Sequence, residues 1–110
     1  MKDVYKAHER ICKTIAHAKR LQILDLLRDG EMCVGDLAKA MAIPAANVSQ
    51  QLAVLRGAGV VRTRNEGTTV YYRVASPKIL RAFDLMSEVS REQASALAET
   101  MRGDRHSKRR

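Results

Sequence analysis

Met32 to Gly59 reads MCVGDLAKAMAIPAANVSQQLAVLRGAG, and the folding of this stretch decides the reading of the whole chain. Val34, Leu37, Ala38 and Met41 fall at i, i+3, i+4 and i+7, the buried stripe of a short helix. Ala42-Ile43-Pro44-Ala45 then interrupts the period. Proline has no amide hydrogen and disfavours helix in the residue before it, so a turn belongs here, with Pro44 in the first turn of the next helix. Val48, Leu52 and Leu55 restart the stripe, and Gly57 and Gly59 supply helix-ending positions. Two short amphipathic helices across a tight turn predict a helix-turn-helix.

On a wheel centred on that second stripe, the outward arc carries Ala46, Asn47, Gln50 and Ala53, with Ser49 and Gln51 on its flanks. Amide side chains can hydrogen-bond bidentately to adenine, and small alanines let a helix lie close to a groove floor. Val54 falls on the same arc, for no reason visible in this helix alone. Any amphipathic surface helix has a polar face, so the weight comes from the residues C-terminal to it. Val60–Arg64 and Val70–Val74 are β-rich runs joined by the polar segment Asn65–Thr69, the pattern of a hairpin. Val61 and Thr63 alternate with Arg62 and Arg64, and Val70, Tyr72 and Val74 with Tyr71 and Arg73, so each strand has one face to bury. A hairpin with arginines beside its tip, directly after such a helix, predicts a wing that reaches the DNA backbone or minor groove. Contacts to duplex DNA are therefore expected from Lys39, Ala46, Asn47, Ser49, Gln50, Gln51, Arg56, Arg62, Arg64 and Thr68.

Upstream, Val4, Ala7, Ile11 and Ile15 form one stripe of a first helix over residues 3–16. A second helix from His17 to Arg28 buries Leu21, Ile23, Leu24 and Leu27, and Asp29-Gly30 closes it. Downstream, Ser76-Pro77 starts a long helix, serine as cap and proline at its first position. Apolar residues from Ile79 through Leu97 continue at helical spacing to about Met101, more than a small domain can cover, which predicts a dimer interface. The fold expected is mostly α with a small β-hairpin: a homodimeric winged helix-turn-helix whose wing lies between the fourth and fifth helices. Residues 1–101 form the DNA-binding and dimerisation domain, and 102–110 a basic, disordered tail.

The chain of 110 residues carries a net charge of +8. Residues 37–74 hold Lys39, Arg56, Arg62, Arg64 and Arg73 against Glu66 alone, so one basic zone coincides with the expected DNA face. The tail holds a second such excess. No apolar run is long enough to span a membrane, and the N-terminus shows no signal-peptide pattern, so a cytoplasmic protein is expected. Enzymatic function has no support: there is no glycine-rich phosphate loop, no His-Glu-x-x-His and no nucleophile–base pair. The rival class is a winged-helix module for protein or RNA contact.

Several runs match one family together: Lys19-Arg20-Leu21-Gln22-Ile23-Leu24; Gly30-Glu31-Met32-Cys33-Val34-Gly35-Asp36-Leu37-Ala38; Val48-Ser49-Gln50-Gln51-Leu52-Ala53-Val54-Leu55-Arg56; and Glu66-Gly67-Thr68-Thr69-Val70-Tyr71-Tyr72-Arg73-Val74. Over roughly residues 10–90 the chain resembles the ArsR/SmtB family of bacterial winged-helix repressors. The resemblance implies a homodimer that leaves its operator when a metal, metalloid or thiol-reactive signal is sensed. It also implies that the first helix joins the last at the dimer interface, through Val4, Ile11, Ile15, Leu80, Phe83 and Leu97.

The sensor is the least legible part. Cys33 stands at the start of the Val34 helix, where the helix dipole favours a thiolate. The family carries Cys-Val-Cys at this place; here it is Cys33-Val34-Gly35, half of the motif. Relatives with this site recruit N-terminal cysteines from the other protomer, a part open to Cys12, with His8 four residues away on the same helix face. The family's second metal site uses Asp and His pairs on the last helix. Asp84 is present, but no histidine lies between Lys78 and Met101, so that site is not expected. Three readings of the thiols stand: inert small hydrophobes, arsenite or a soft divalent metal bound by Cys12 and Cys33, and an oxidised or persulfidated dithiol switch.

Overall fold

The computed structural model describes residues 2–108, with side chains to Gly103. The helices are α1 (Lys2–Ile15), α2 (Ala18–Leu26), α3 (Val34–Met41), α4 (Ala45–Gly57) and α5 (Pro77–Lys108). The strands are β1 (Met32–Cys33), β2 (Val61–Glu66) and β3 (Thr69–Val74). Two units are distinguished, residues 1–80 and 81–110.

In the first unit the three stripes meet. Ile23, Leu24 and Leu27 from α2 and the 3-10 turn after it pack with Leu37 and Met41 of α3 and with Val48, Leu52 and Leu55 of α4. Val60 and Val61 close the core from the strand side. Leu21, expected inside, is only half-buried; α2 stops at Leu26 and tightens into the turn Leu27–Asp29.

Both helices of the helix-turn-helix end in the same way. At α4, Gly59 has φ +76° and donates to the Arg56 carbonyl, while Val60 donates to that of Leu55, both at 2.9 Å. This is a Schellman ending, and it brings Val60 down onto Leu55. At α3 the left-handed position falls to Ala42 (φ 55°), which donates to Lys39 at 3.3 Å, with Ile43 donating to Ala38 at 3.2 Å. Pro44 then serves as N-cap rather than first-turn residue, and Ala45, expected in the break, already belongs to α4.

The wing is part of a three-stranded antiparallel sheet in the order β1-β3-β2. The register pairs Val61 with Val74, Arg62 with Arg73, Thr63 with Tyr72 and Arg64 with Tyr71. Its connection is shorter than expected: Asn65, Glu66 and Thr69 are in strand, leaving Gly67-Thr68 as the loop. Gly67 at φ +60°, with no positive φ at Thr68, gives the pattern of a type II′ turn. No sequence pattern marks strand β1. It pairs Met32 with Tyr72 and Cys33 with Tyr71, placing Cys33 in one row with Tyr71 and Arg64. Tyr72, Val74 and Met32 pack on the core, whereas Val70, expected to be buried with them, is exposed near the tip.

At the start of α5 the Ser76 hydroxyl accepts from the Lys78 amide at 3.2 Å, the expected cap. In the second unit α5 runs on to Lys108, through a stretch expected to be a disordered tail; the rest of that expectation, Arg109 and Arg110, lies outside the described residues. Leu85, Met86, Val89, Leu97 and Met101 are all exposed along it. Among the described residues, no helix is long and apolar enough to cross a membrane.

Candidate nucleic-acid interface

Burying Val48, Leu52 and Leu55 turns the opposite face of α4 to solvent. Ala46, Ser49, Gln50, Ala53, Val54 and Arg56 are exposed on it. Among the described residues, the side chains of Gln50 and Ser49 have no hydrogen-bond partner, so their donor and acceptor capacity faces outward. No side chain caps the N-terminus of α4, which leaves its first amides without a side-chain acceptor. Val54 is 42% exposed, and nothing in the fold explains why a valine stands there.

Gln51 behaves differently from its neighbours. It is half-buried, and its Oε1 accepts from Arg20 Nε at 2.9 Å while its Nε2 reaches Asn47 Oδ1 at 3.4 Å. Gln51, expected to contact DNA, thus has both ends of its amide engaged within the protein. Arg20 also donates through Nη1 to the Thr14 carbonyl at 2.9 Å, tying the end of α1 to α4. No local pattern marks Arg20 for this role, because its partner lies 31 residues away.

The wing divides its arginines into two kinds. Arg64 donates from Nε to both oxygens of Glu31 at 3.1 Å and from Nη1 to Glu66 at 3.2 Å, and its guanidinium lies 5.0 Å from the centre of the Tyr71 ring. Glu31 first and then Glu66 hold it still further toward the charged form than a free arginine. With two carboxylates already on it, Arg64 braces the sheet, and a phosphate there would have to compete with Glu31 and Glu66. Arg62 and Arg73 are exposed, opposite each other, and without an ion pair among the described residues, as are the exposed Lys39 and Arg56. Thr68 is exposed at the wing tip.

Cys12 is exposed on α1, four residues from His8, and Cys33 is half-buried at the junction of β1 and α3. Among the described residues no three of His, Cys, Asp and Glu come together as a metal would require. Of the expected interface residues, Val4, Ile11 and Leu97 are exposed and Leu80 and Phe83 half-buried. Ile15, also expected there, is half-buried and packs against the core of the first unit, where the last turn of α1 lies beside Arg20.

Residues 17–63 match the family described as bacterial regulatory protein, arsR family. The HTH-type transcriptional regulator Rv0324 of Mycobacterium tuberculosis is 39% identical over 89 residues, which are 81% of this chain but only 39% of that protein. Rv0081 of the same organism, also named an HTH-type transcriptional regulator, is 42% identical over 77 residues, covering 69% of this chain and 68% of its own. Among solved structures, the homodimeric winged helix-turn-helix DNA-binding domain (fragment 1–100) of Mb0332 from Mycobacterium bovis is similar with a TM-score of 0.76 and 37% identity. That match covers 83% of this chain and 84% of Mb0332's fragment.

Proposed function

The chain belongs to the arsR family of bacterial regulatory proteins, a family of regulators and not of enzymes, and from that premise we propose that it binds operator DNA as a homodimeric repressor. The single observation that carries this reading is the outward face of α4, where the Gln50 side chain has no partner among the described residues, together with Arg62 and Arg73 of the wing, which have no ion pair among them either. In it α4 enters the major groove, Gln50 reads a base edge, and the cations of the wing with Lys39 and Arg56 neutralise phosphates. The uncapped start of α4 adds the positive end of a helix dipole. A dimer sets two such helices about one turn of DNA, roughly 34 Å, apart. Similarity to a homodimeric domain and the apolar side chains left exposed on α1 and on α5 both support this assembly.

The inducing signal is assigned to the thiols of Cys12 and Cys33, which are free in the structure. Arsenite or a soft metal would draw ligands from both protomers, since the described residues of one chain hold no cluster of three donors. Operator release that survives unchanged in both Cys12→Ser and Cys33→Ser would remove that assignment without touching DNA binding.

The test of the main reading is selection of duplex sequences from a randomised pool, followed by titration of the selected duplex, a scrambled duplex and matched RNA. A preference for the selected duplex is expected, and Gln50→Ala should reduce it by about 1–3 kcal/mol while leaving scrambled DNA nearly unaffected. Equal binding of all three nucleic acids would favour an RNA- or protein-contact module.

A further inference from the structure

Arg20, Gln51 and Asn47 form a chain whose direction is fixed at one end. A guanidinium donates hydrogen bonds and accepts none. Because Arg20 Nε points at Gln51 at 2.9 Å, the atom it meets must be the amide oxygen, and the Gln51 amide cannot be turned the other way round. Its NH2 is thereby directed toward Asn47, one helical turn back on α4, and the atom 3.4 Å away must again be an acceptor, Oδ1. The polarity runs from Arg20 through Gln51 to Asn47 and leaves one group over. That group is the Asn47 NH2, for which no hydrogen-bond partner exists among the described residues.

Asn47 lies in the first turn of α4, the part of a recognition helix that approaches base edges. An asparagine free to rotate can present donor and acceptor together and pair bidentately with adenine. Asn47 has its oxygen turned inward, so it offers a donor. Arg20 is itself anchored by its second bond, to the Thr14 carbonyl at 2.9 Å.

We propose that Arg20 and Gln51 are positioning residues of the DNA-reading surface, holding the Asn47 amide NH2-outward so that its position in each half-site favours a base presenting acceptors, guanine with O6 and N7 above all. This rests on the DNA-binding reading above and adds to it which residues set the choice of base. Neither Arg20 nor Gln51 touches DNA in this arrangement; they act through Asn47.

The test is Gln51→Glu. One carboxylate oxygen still accepts from Arg20, but the other now faces Asn47 as an acceptor, so Asn47 turns its NH2 inward and its oxygen out. Selection from a randomised duplex pool should then shift one position per half-site from guanine toward a base with an amino donor, cytosine or adenine, by roughly tenfold in relative affinity. Gln51→Met, which severs the chain without reversing it, should flatten the preference at that position and leave the one set by Gln50 intact. Without DNA, the Asn47 side-chain amide should change from solvent-exchanging to hydrogen-bonded in the nuclear magnetic resonance spectrum of Gln51→Glu. A Gln51→Glu protein that binds all sequences more weakly in an unchanged order of preference overturns the proposal. A wild-type protein that selects no sequence overturns the DNA-binding reading instead, and an unchanged Asn47 amide signal overturns the positioning role independently of DNA.

Discussion

Arg62 and Arg73 stand directly opposite each other on β2 and β3, both exposed and neither paired with a carboxylate among the described residues. Like charges in that relation destabilise a hairpin, by a few tenths of a kcal/mol up to about 1 kcal/mol. Two residues further along β2 the same sheet shows how such a cation is quieted, since Arg64 has Glu31 and Glu66 on it and Tyr71 beneath. The unpaired couple makes sense if an anion outside the chain lies against it. Replacing Arg62 by threonine should therefore move two measurements in opposite directions. The urea midpoint should rise, and affinity for selected and scrambled duplexes should fall together, with the salt dependence losing about one phosphate contact. A loss confined to the selected sequence would make Arg62 a reader of bases. Gly67 carries a separate constraint: at φ +60° it has open space around a would-be Cβ, so Gly67→Ala costs backbone strain alone, about 1 kcal/mol, and loosens the tip.

At the scale of elements, the turn between α3 and α4 holds the one non-glycine residue at positive φ among the described residues, Ala42 at 55°. Its two capping bonds fix that conformation, and an L-residue held there gives up roughly 1–2 kcal/mol. Glycine relieves this but adds freedom to the unfolded chain, about 0.4–1 kcal/mol. Ala42→Gly should thus stabilise the fold by roughly 0.5–1 kcal/mol in urea unfolding, and Ala42→Val should destabilise it. The helices on either side are legible in the sequence, because Leu37 and Met41, or Val48, Leu52 and Leu55, repeat with the period of the helix that buries them. What stays hidden joins residues far apart in the chain. Strand β1 is two residues long and has no meaning until Tyr71 and Tyr72 lie beside it. Glu31 neutralises Arg64 from 33 residues away and Arg20 orients Gln51 from 31, so in the sequence neither arginine shows its partner. The end of α5 escapes the pattern for another reason: its apolar stripe fades after Met101, and the run Arg102-Gly103-Asp104-Arg105-His106-Ser107-Lys108 has Gly, Asp, His and Ser among its residues, so neither periodicity nor propensity marks the helix that continues there.

For the whole molecule, the open question is what covers the apolar side chains that each unit leaves in solvent. On α1 these include Val4 and Tyr5, each 67% exposed. On α5, Met86, Val89, Leu97 and Met101 fall within about a third of the helix circumference, spaced like a seam between helices, with Leu97 62% exposed. A second copy of the chain fits this pattern, because a two-fold axis lets one surface serve both partners and matches a palindromic operator. Leu97→Glu puts a carboxylate into that seam without touching the core of residues 1–80. Helix content and the unfolding midpoint of that core should be preserved, while sedimentation shifts from dimer to monomer at micromolar concentration. Binding to the selected duplex should then fall by about 100-fold or more, since the second half-site no longer benefits from the first, whereas binding to a single half-site should change little. If Leu97→Glu sediments as the wild type does and still binds the full site, α5 does not form the interface, and the exposed apolar residues of α1 become the surface to vary next.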